Sequence, residues 1–259
     1  MKLVRYLVDQ QDYYAVLKDG GELHRIKGDP FGSIEPEGTI DHISAVRVLA
    51  PVTAPRVFGA GLNYVSHIKE GGQKTPELPM LFMKPGTAVI GHDEEIILPE
   101  NSHDVHFEGE LAVIIGQAGR RMSETEAFSA ILGYTCANDV SYRPIQHAEM
   151  AMGCMLVGKA YDTFCPLGPV IATDIDPADA NLETRVNGTV RQRINTSDLL
   201  FSVVHLVSYL SQAITLLPGD VVITGTPSGV GPMQPGDVVE IEIDGIGVLR
   251  NRAVAETTA

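Results

Sequence analysis

Tryptophan is absent and cysteine occurs only three times, at Cys136, Cys154 and Cys165. An odd number without paired or zinc-like spacing argues against a disulfide framework or a structural zinc site, and fits reduced, buried thiols. Basic residues are also scarce, with 19 Lys and Arg against 33 Asp and Glu and a formal net charge of -14. Lacking any basic block, the chain offers nothing to hold a nucleic-acid backbone or an anionic membrane surface. No apolar run reaches the ~18 residues that a membrane span needs. The start, MKLVRYLVDQQDYY, turns polar too soon for a secretory signal, so a soluble cytoplasmic protein is expected.

Apolar residues make up 44% of the 259, enough for one large domain or for a small domain plus a medium one. Near the start, LVRYLV, YYAVL and ELHRI read as strands, with Asp19-Gly20-Gly21 turning the chain between the last two. Pro30, Pro36, Pro51 and Pro55 punctuate the stretch from Lys27 to Pro55, which reads as a linker. The expected division is therefore residues 1–55, a small β domain and linker, followed by residues 56–259.

The chain is organised around HFEGELAVIIG, residues 106–116. In a strand, Glu108 and Glu110 point to one face, and two carboxylates facing a core call for an oxygen-loving divalent cation such as Mg²⁺ or Mn²⁺. The sequence holds its own control. Glu240 and Glu242 have the same spacing in VVEIEIDG, yet alternate with Val239, Ile241 and Ile243 as in a strand with one solvated face. By spacing alone the first pair also reads as a solvated face. It differs by the apolar run that follows, by Gly109, and by a second acidic candidate, Asp139, in the similarly apolar YTCANDV.

In RVFGAGLNYVSHIKEGG a strand leads to a short helix capped by Asn63 and ended by Gly71-Gly72, the build of a lid. His67 and Glu70 share a face of that helix, where the carboxylate can orient the imidazole, although an exposed pair on a polar helix is the plainer reading. Gly59-x-Gly61 opens like a dinucleotide fingerprint, but Tyr64 occupies the place of the third glycine. Lys84 and Lys159 are isolated cations beside apolar sequence, of a kind that usually snorkels to water. Ser123 and Glu126 form a capping box for a helix through Leu132, and Tyr134 to Val140 read as the strand carrying Asp139. Arg143 and Gln146 lie near the positive end of a helix opened by Pro144, placed to hold a carboxylate. A longer helix is expected from Asp198 to about Leu216, with Leu199, Val203, Leu206, Leu210 and Ile214 on one face and His205 without a role. PGDVV occurs at 218–222 and 235–239, which suggests successive strands of one β structure. Between them ITGTPSGVG offers backbone N–H groups and the Thr226 hydroxyl to an anion.

FGAGLNYVSHIKE, LFMKPGTAVIG, FEGELAVIIG, ANDVSYRPIQ, GKAYDTFCPLGP, RVNGTVRQ, NTSDLLFSVVHLVSYLS and PGDVVITGTPSGVG follow one another over about residues 56–254. In that order they resemble the fumarylacetoacetate hydrolase family, and the N-terminal fifty-odd residues look like the small β domain of several bacterial members. The resemblance implies an α+β, predominantly β fold, a mixed β roll preceded by that small domain, in a homodimer. It implies Glu108, Glu110 and Asp139 as ligands of Mg²⁺ or Mn²⁺, His67 and Glu70 as a lid dyad, and Lys159 as the active-site lysine. Lys84, Arg143, Gln146 and Thr226 correspond to substrate-holding groups. Pro144, Thr87 and the apolar stretch from Ala151 to Val157 depart from the family pattern, so the pocket that selects the substrate transfers least. The function so implied is hydrolysis of a carbon–carbon bond in an acylpyruvate such as fumarylpyruvate. In that scheme the metal polarises the 2-oxo group, His67 activates water, and Lys159 stabilises oxyanion charge. Isomerisation of 2-hydroxyhepta-2,4-dienedioate-like acids and decarboxylation of oxaloacetate-type acids use the same parts. A cupin-like binding protein is the rival from another class, suggested by His103, His106 and Glu108, although the histidine spacing is wrong for it.

Overall fold

Seven consecutive residues, Gly109–Ile115, form a strand in which every position is buried. A strand covered on both faces has no reason to alternate, and the apolar run of the sequence follows from that. Leu111, Val113 and Ile115 enter one core with Leu182, Leu206 and Ile241. Ala112 and Ile114 point the other way, into a second core with Leu3, Val57, Leu167 and Val221. In the computed structural model, every residue is described except Ala54, Gly71, Gln73, Thr258 and Ala259, together with the side chain of Glu70. The Gly71 helix stop and the Glu70 half of the expected dyad therefore lie outside the described residues.

The fold is mostly β. The buried strand lies between Ile131–Asn138 and Val221–Ile223 in the largest sheet. Beyond Val221–Ile223 come Val57–Gly61, paired in parallel, and then Met80–Lys84 at the edge. On the other side the sheet continues through Cys165–Ala172 to Lys2–Val8, Gln11–Leu17, Glu22–Ile26 and Pro36–His42. The three expected N-terminal strands are present, and Lys2 and Leu3 join them to the larger sheet at Ala172 and Ile171. The expected linker is only partly one. It contains the strand Pro36–His42, whose residues are nearly all exposed, so no apolar alternation marks it in the sequence.

A five-stranded sheet runs in the order Thr189–Asn195, Asn181–Val186, Val238–Ile243, Gly247–Ala255 and Glu95–Leu98. The two PGDVV turns lead into different sheets, one into Val221–Ile223 and the other into Val238–Ile243, which corrects their assignment to one β structure. Among the described residues four α-helices decorate the strands: α1 (Val65–Glu70), α2 (Glu124–Ala130), α3 (Arg143–Ala151) and α4 (Val203–Ala213). The Ser123–Glu126 capping box starts α2 as expected, but the helix ends at Ala130 and a strand begins at Ile131. Helix α4 starts at Val203 and not at Asp198, because Ser202 accepts the His205 N–H while the Asp198 carboxylate is engaged elsewhere. Among the described residues no helix is long and apolar enough to cross a membrane.

Candidate metal and active site

Antiparallel register brings the acidic residues together. Gly109 pairs with Asn138, so the residues one step further along each strand, Glu108 and Asp139, stand level at the mouth of the sheet. Glu110 is the next residue along that strand but one, on the same face as Glu108. Ligand oxygens of Glu108, Glu110 and Asp139 lie within 4.8 Å of one another, and all three residues are buried. The strand itself breaks at Glu108, whose N–H donates to the Asn138 side chain at 2.9 Å instead of continuing the ladder.

Three cations surround this cluster. Lys84 Nζ donates to Asp139 Oδ1 at 2.6 Å and to the Val140 carbonyl at 3.1 Å. Lys159 Nζ donates to Glu108 Oε2 at 2.8 Å and also to Asp139 Oδ2. Arg143 Nη2 is 2.5 Å from Glu108 Oε1. Neither lysine snorkels: both are at most 3% exposed. Among the described residues Glu110 has no such partner and accepts only the Gly225 N–H, at 2.6 Å. The electrostatics follow this layout. Burial by itself would raise Glu108, but Lys159 and Arg143 outweigh it and hold the carboxyl at about 2. Glu110 is pushed well above the usual carboxylate range by burial and then by the charges of Asp139 and Glu108. Burial also works against the charge of Lys159, yet Asp139 and Glu108 keep it firmly protonated.

The carboxylates line a cavity of about 570 Å³. Lys159, Arg143, Gln146, His67 and Thr226 share its wall, and Phe82, Met80, Met150 and Met155 form an apolar part. Lys84 is not in that wall, since its ammonium sits behind Asp139. Its place in the structure is support of a carboxylate and not contact with the cavity.

Helix α1 carries His67, whose Nδ1 is 3.3 Å from Ser228 Oγ. The helix is pinned at its start, because Asp198 Oδ2 accepts both the Ser66 N–H at 2.9 Å and the Ser66 hydroxyl at 2.7 Å. Tyr64 and Ile68 are buried beneath it. Asp198 thus takes the capping part expected of Asn63. Asn63 is buried and staples Phe201 and Thr224 through its amide. The Gly-rich loop does offer a backbone N–H, but what that N–H meets is the protein's own Glu110 carboxyl group. Gly225 sits at φ +101, with Asn63 and the Ala60 carbonyl where a Cβ would be, so the loop needs glycine there. Thr226 Oγ1 donates to the Gly109 carbonyl at 3.0 Å and accepts from Gln192 at 2.8 Å. Gln192 also accepts the Gly109 N–H at 3.0 Å, a role no local signal in the sequence announces. Glu149 is a second residue that the sequence reading missed, although it continues the three-residue spacing of Arg143 and Gln146. His106 and His147 line the cavity, but no histidine belongs to the carboxylate cluster, so the cupin-like reading falls.

Residues 56–254 match the family model described as fumarylacetoacetate (FAA) hydrolase C-terminal, and residues 1–51 match the model described as Rv2993c-like, N-terminal. A 5-carboxymethyl-2-hydroxymuconate delta-isomerase from Mycobacterium smegmatis is similar in structure, with TM-score 0.92, 43% identity, and coverage of 99% of this chain and 100% of that one. The mitochondrial oxaloacetate tautomerase FAHD2A of Homo sapiens is 41% identical over 222 residues, 82% of this chain and 70% of its own. A fumarylpyruvate hydrolase from Pseudomonas aeruginosa, in complex with Mn²⁺ and pyruvate, has TM-score 0.75 and 36% identity over 79% of this chain and 91% of that one.

Proposed function

The chain belongs to the fumarylacetoacetate hydrolase family, and we propose that it is a divalent-metal-dependent enzyme that enolises a 2-oxo dicarboxylic acid, acting as a tautomerase or isomerase. The observation that carries this reading is the balance of charge around the cavity. Three buried carboxylates face three cations, Lys84, Lys159 and Arg143. With Glu110 ionised against a bound divalent cation, the three carboxylates cancel the three side-chain cations, and the ion leaves two positive charges, the complement of a dicarboxylate. The donor set fits Mg²⁺ or Mn²⁺: oxygen ligands only, close together, with Glu110 buried and short of a counter-charge. Glu108, Glu110 and Asp139 would hold the ion. When bound, it supplies Lewis-acid polarisation of the 2-oxo group.

The rest falls to the chain. Arg143 and Gln146, joined by a 2.7 Å hydrogen bond, present a fork to a substrate carboxylate. Lys159 brings an ammonium to the oxygen on which enolate charge develops. His67, in the same wall, takes or returns the carbon-bound proton. The sequence similarity to an isomerase and a tautomerase, at 43% and 41%, favours proton transfer alone. A second reading, carbon–carbon hydrolysis of an acylpyruvate, is supported by the fumarylpyruvate hydrolase likeness and by the same histidine placed to activate water.

The test supplies Mg²⁺ or Mn²⁺ to chelator-treated protein and follows three reactions. These are ketonisation of enol-oxaloacetate, isomerisation of 2-hydroxyhepta-2,4-dienedioate, and release of pyruvate from fumarylpyruvate. Metal-dependent turnover of either of the first two is expected. Pyruvate release without them would select hydrolysis, and metal-independent turnover throughout would overturn the reading.

A further inference from the structure

Arg143, Gln146 and Glu149 stand three residues apart on α3 and share one face of it. The first touches Glu108 and the second lines the cavity. Glu149 does neither, yet it is only 8% exposed. Its carboxylate has no cationic partner among the described residues. It collects three consecutive backbone N–H groups, from Leu156 at 3.1 Å, Val157 at 2.7 Å and Gly158 at 3.0 Å. The residue after those three is Lys159. Of this stretch Met155 packs against the second core, whereas Met152, Leu156 and Val157 are 74%, 53% and 50% exposed and add little hold. The turn is nevertheless pressed onto α3, where a Cβ on Gly158 would lie 2.6 Å from the Gln146 nitrogen.

We propose that Glu149 is a positioning residue for Lys159, fixing through those three amides the turn from which the ammonium reaches Glu108 and Asp139. The proposal rests on the reading of the site given above. Without Glu149 the largely exposed 152–157 stretch keeps Met155 as its main packing contact against its conformational entropy, and the lysine head group loses its fixed origin. A charge-assisted hydrogen bond to an amide is among the stronger kinds, and three on one carboxylate define a geometry that a neutral side chain cannot copy.

Lys159 opposes a divalent cation at the carboxylates it contacts, so displacing it must tighten metal binding even as it removes a catalytic group. That separates positioning from general damage, which would weaken metal binding. The test measures the Mn²⁺ dissociation constant by electron paramagnetic resonance, and kcat and KM on oxaloacetate, for Glu149→Ala, Glu149→Gln, Lys159→Met and the two double variants. Lys159→Met should tighten Mn²⁺ by about tenfold, a modest fraction of the Coulomb term at an effective dielectric of about 20. Glu149→Ala should tighten it in the same direction by less and lower kcat, while adding it to Lys159→Met should change either quantity by less than about twofold. Glu149→Gln keeps one acceptor oxygen and should fall between wild type and Glu149→Ala; being nearly isosteric, it serves if Glu149→Ala does not fold. Additive effects in the double variants, or weaker Mn²⁺ binding in both Glu149 variants, would overturn the proposal while leaving the site reading intact. A Lys159→Met variant indistinguishable from wild type in metal affinity and turnover would overturn the site reading, and the proposal with it.

Discussion

Replacing Lys84 by methionine removes one charge and little else, since methionine keeps most of the apolar stem. The ammonium it removes is completely enclosed, at 0% side-chain exposure, and is held 2.6 Å from Asp139. The Val140 carbonyl loses its donor at the same time. Glu108 keeps Arg143, but Asp139 is left with only the Lys159 ammonium that it shares with Glu108, so its buried carboxylate loses the one cation that it does not share. Breaking a buried pair by removing one partner costs about 3–5 kcal/mol. That is a large share of a total stability of roughly 5–15 kcal/mol. At about 2–4 °C per kcal/mol for a chain of this size, the midpoint of thermal unfolding in chelator should fall by roughly 6–20 °C.

The same reasoning fixes a second, opposite expectation. A divalent ion at Glu108, Glu110 and Asp139 restores the missing positive charge, so most of the loss should disappear in saturating Mn²⁺. Differential scanning calorimetry of wild type and Lys84→Met, each in chelator and in Mn²⁺, measures all four midpoints. An equal drop with and without Mn²⁺ would mean that Lys84 acts through packing alone. No drop in chelator would mean that the buried charge balance is wrong.

His67→Ala should lower kcat by ~10²–10⁴ while leaving Mn²⁺ affinity unchanged, as expected for loss of a proton-transfer group; near-native turnover would remove His67 from the mechanism. In the N-terminal strands, hydrogen bonds from Arg25 and then Tyr6 hold the Asp41 carboxyl below its usual range. A folded-state value below the unfolded one gives stability that is present above about pH 3.9 and lost as pH falls through the folded value. Asp41→Asn should therefore lose stability near neutrality and show a shallower decline as pH falls below about 4, read by urea unfolding. A homodimer is expected from the family, and sedimentation at micromolar concentration should give twice the 27.9 kDa of one chain; the single-chain mass would refute it.

Much of this site is written in short-range pattern. Glu108 and Glu110 converge because a strand repeats every two residues; that Asp139 sits on a strand is legible in YTCANDV, but the antiparallel register that brings it beside Glu108 is not. What the sequence does not carry is the identity of distant partners. Asp198 and Ser202 are equally good helix caps by residue type, and α4 begins after Ser202 because Ser66, 132 residues away, claims Asp198. Lys84 looked like a snorkelling lysine because nothing within its own segment is acidic, and its partner lies 55 residues on. Pro36–His42 was hidden for the opposite reason. An exposed edge strand pairs through its backbone, and backbone pairing leaves no apolar alternation to read.

The two Glu-x-Glu pairs show what resolves an ambiguity that spacing cannot. Across from Glu242 stands Glu183, and Arg185 lies beside them both. Arg185 gives hydrogen bonds to Glu183 at 2.8 Å, Glu240 at 3.3 Å and Glu242 at 2.7 Å, with all three carboxylates 23–49% exposed. Water and two guanidinium groups, Arg185 and the Arg193 that also binds Glu183, settle that cluster, so no further cation is called for. Across from the Glu108 segment the register delivers Asp139, a third carboxylate, and burial excludes the water that would screen it. The protein answers with lysines on Asp139 and Glu108 and an arginine on Glu108, but gives Glu110 only an amide. A buried carboxylate left without a cation by a fold that supplies three to its neighbours is the place where an exogenous cation gains most.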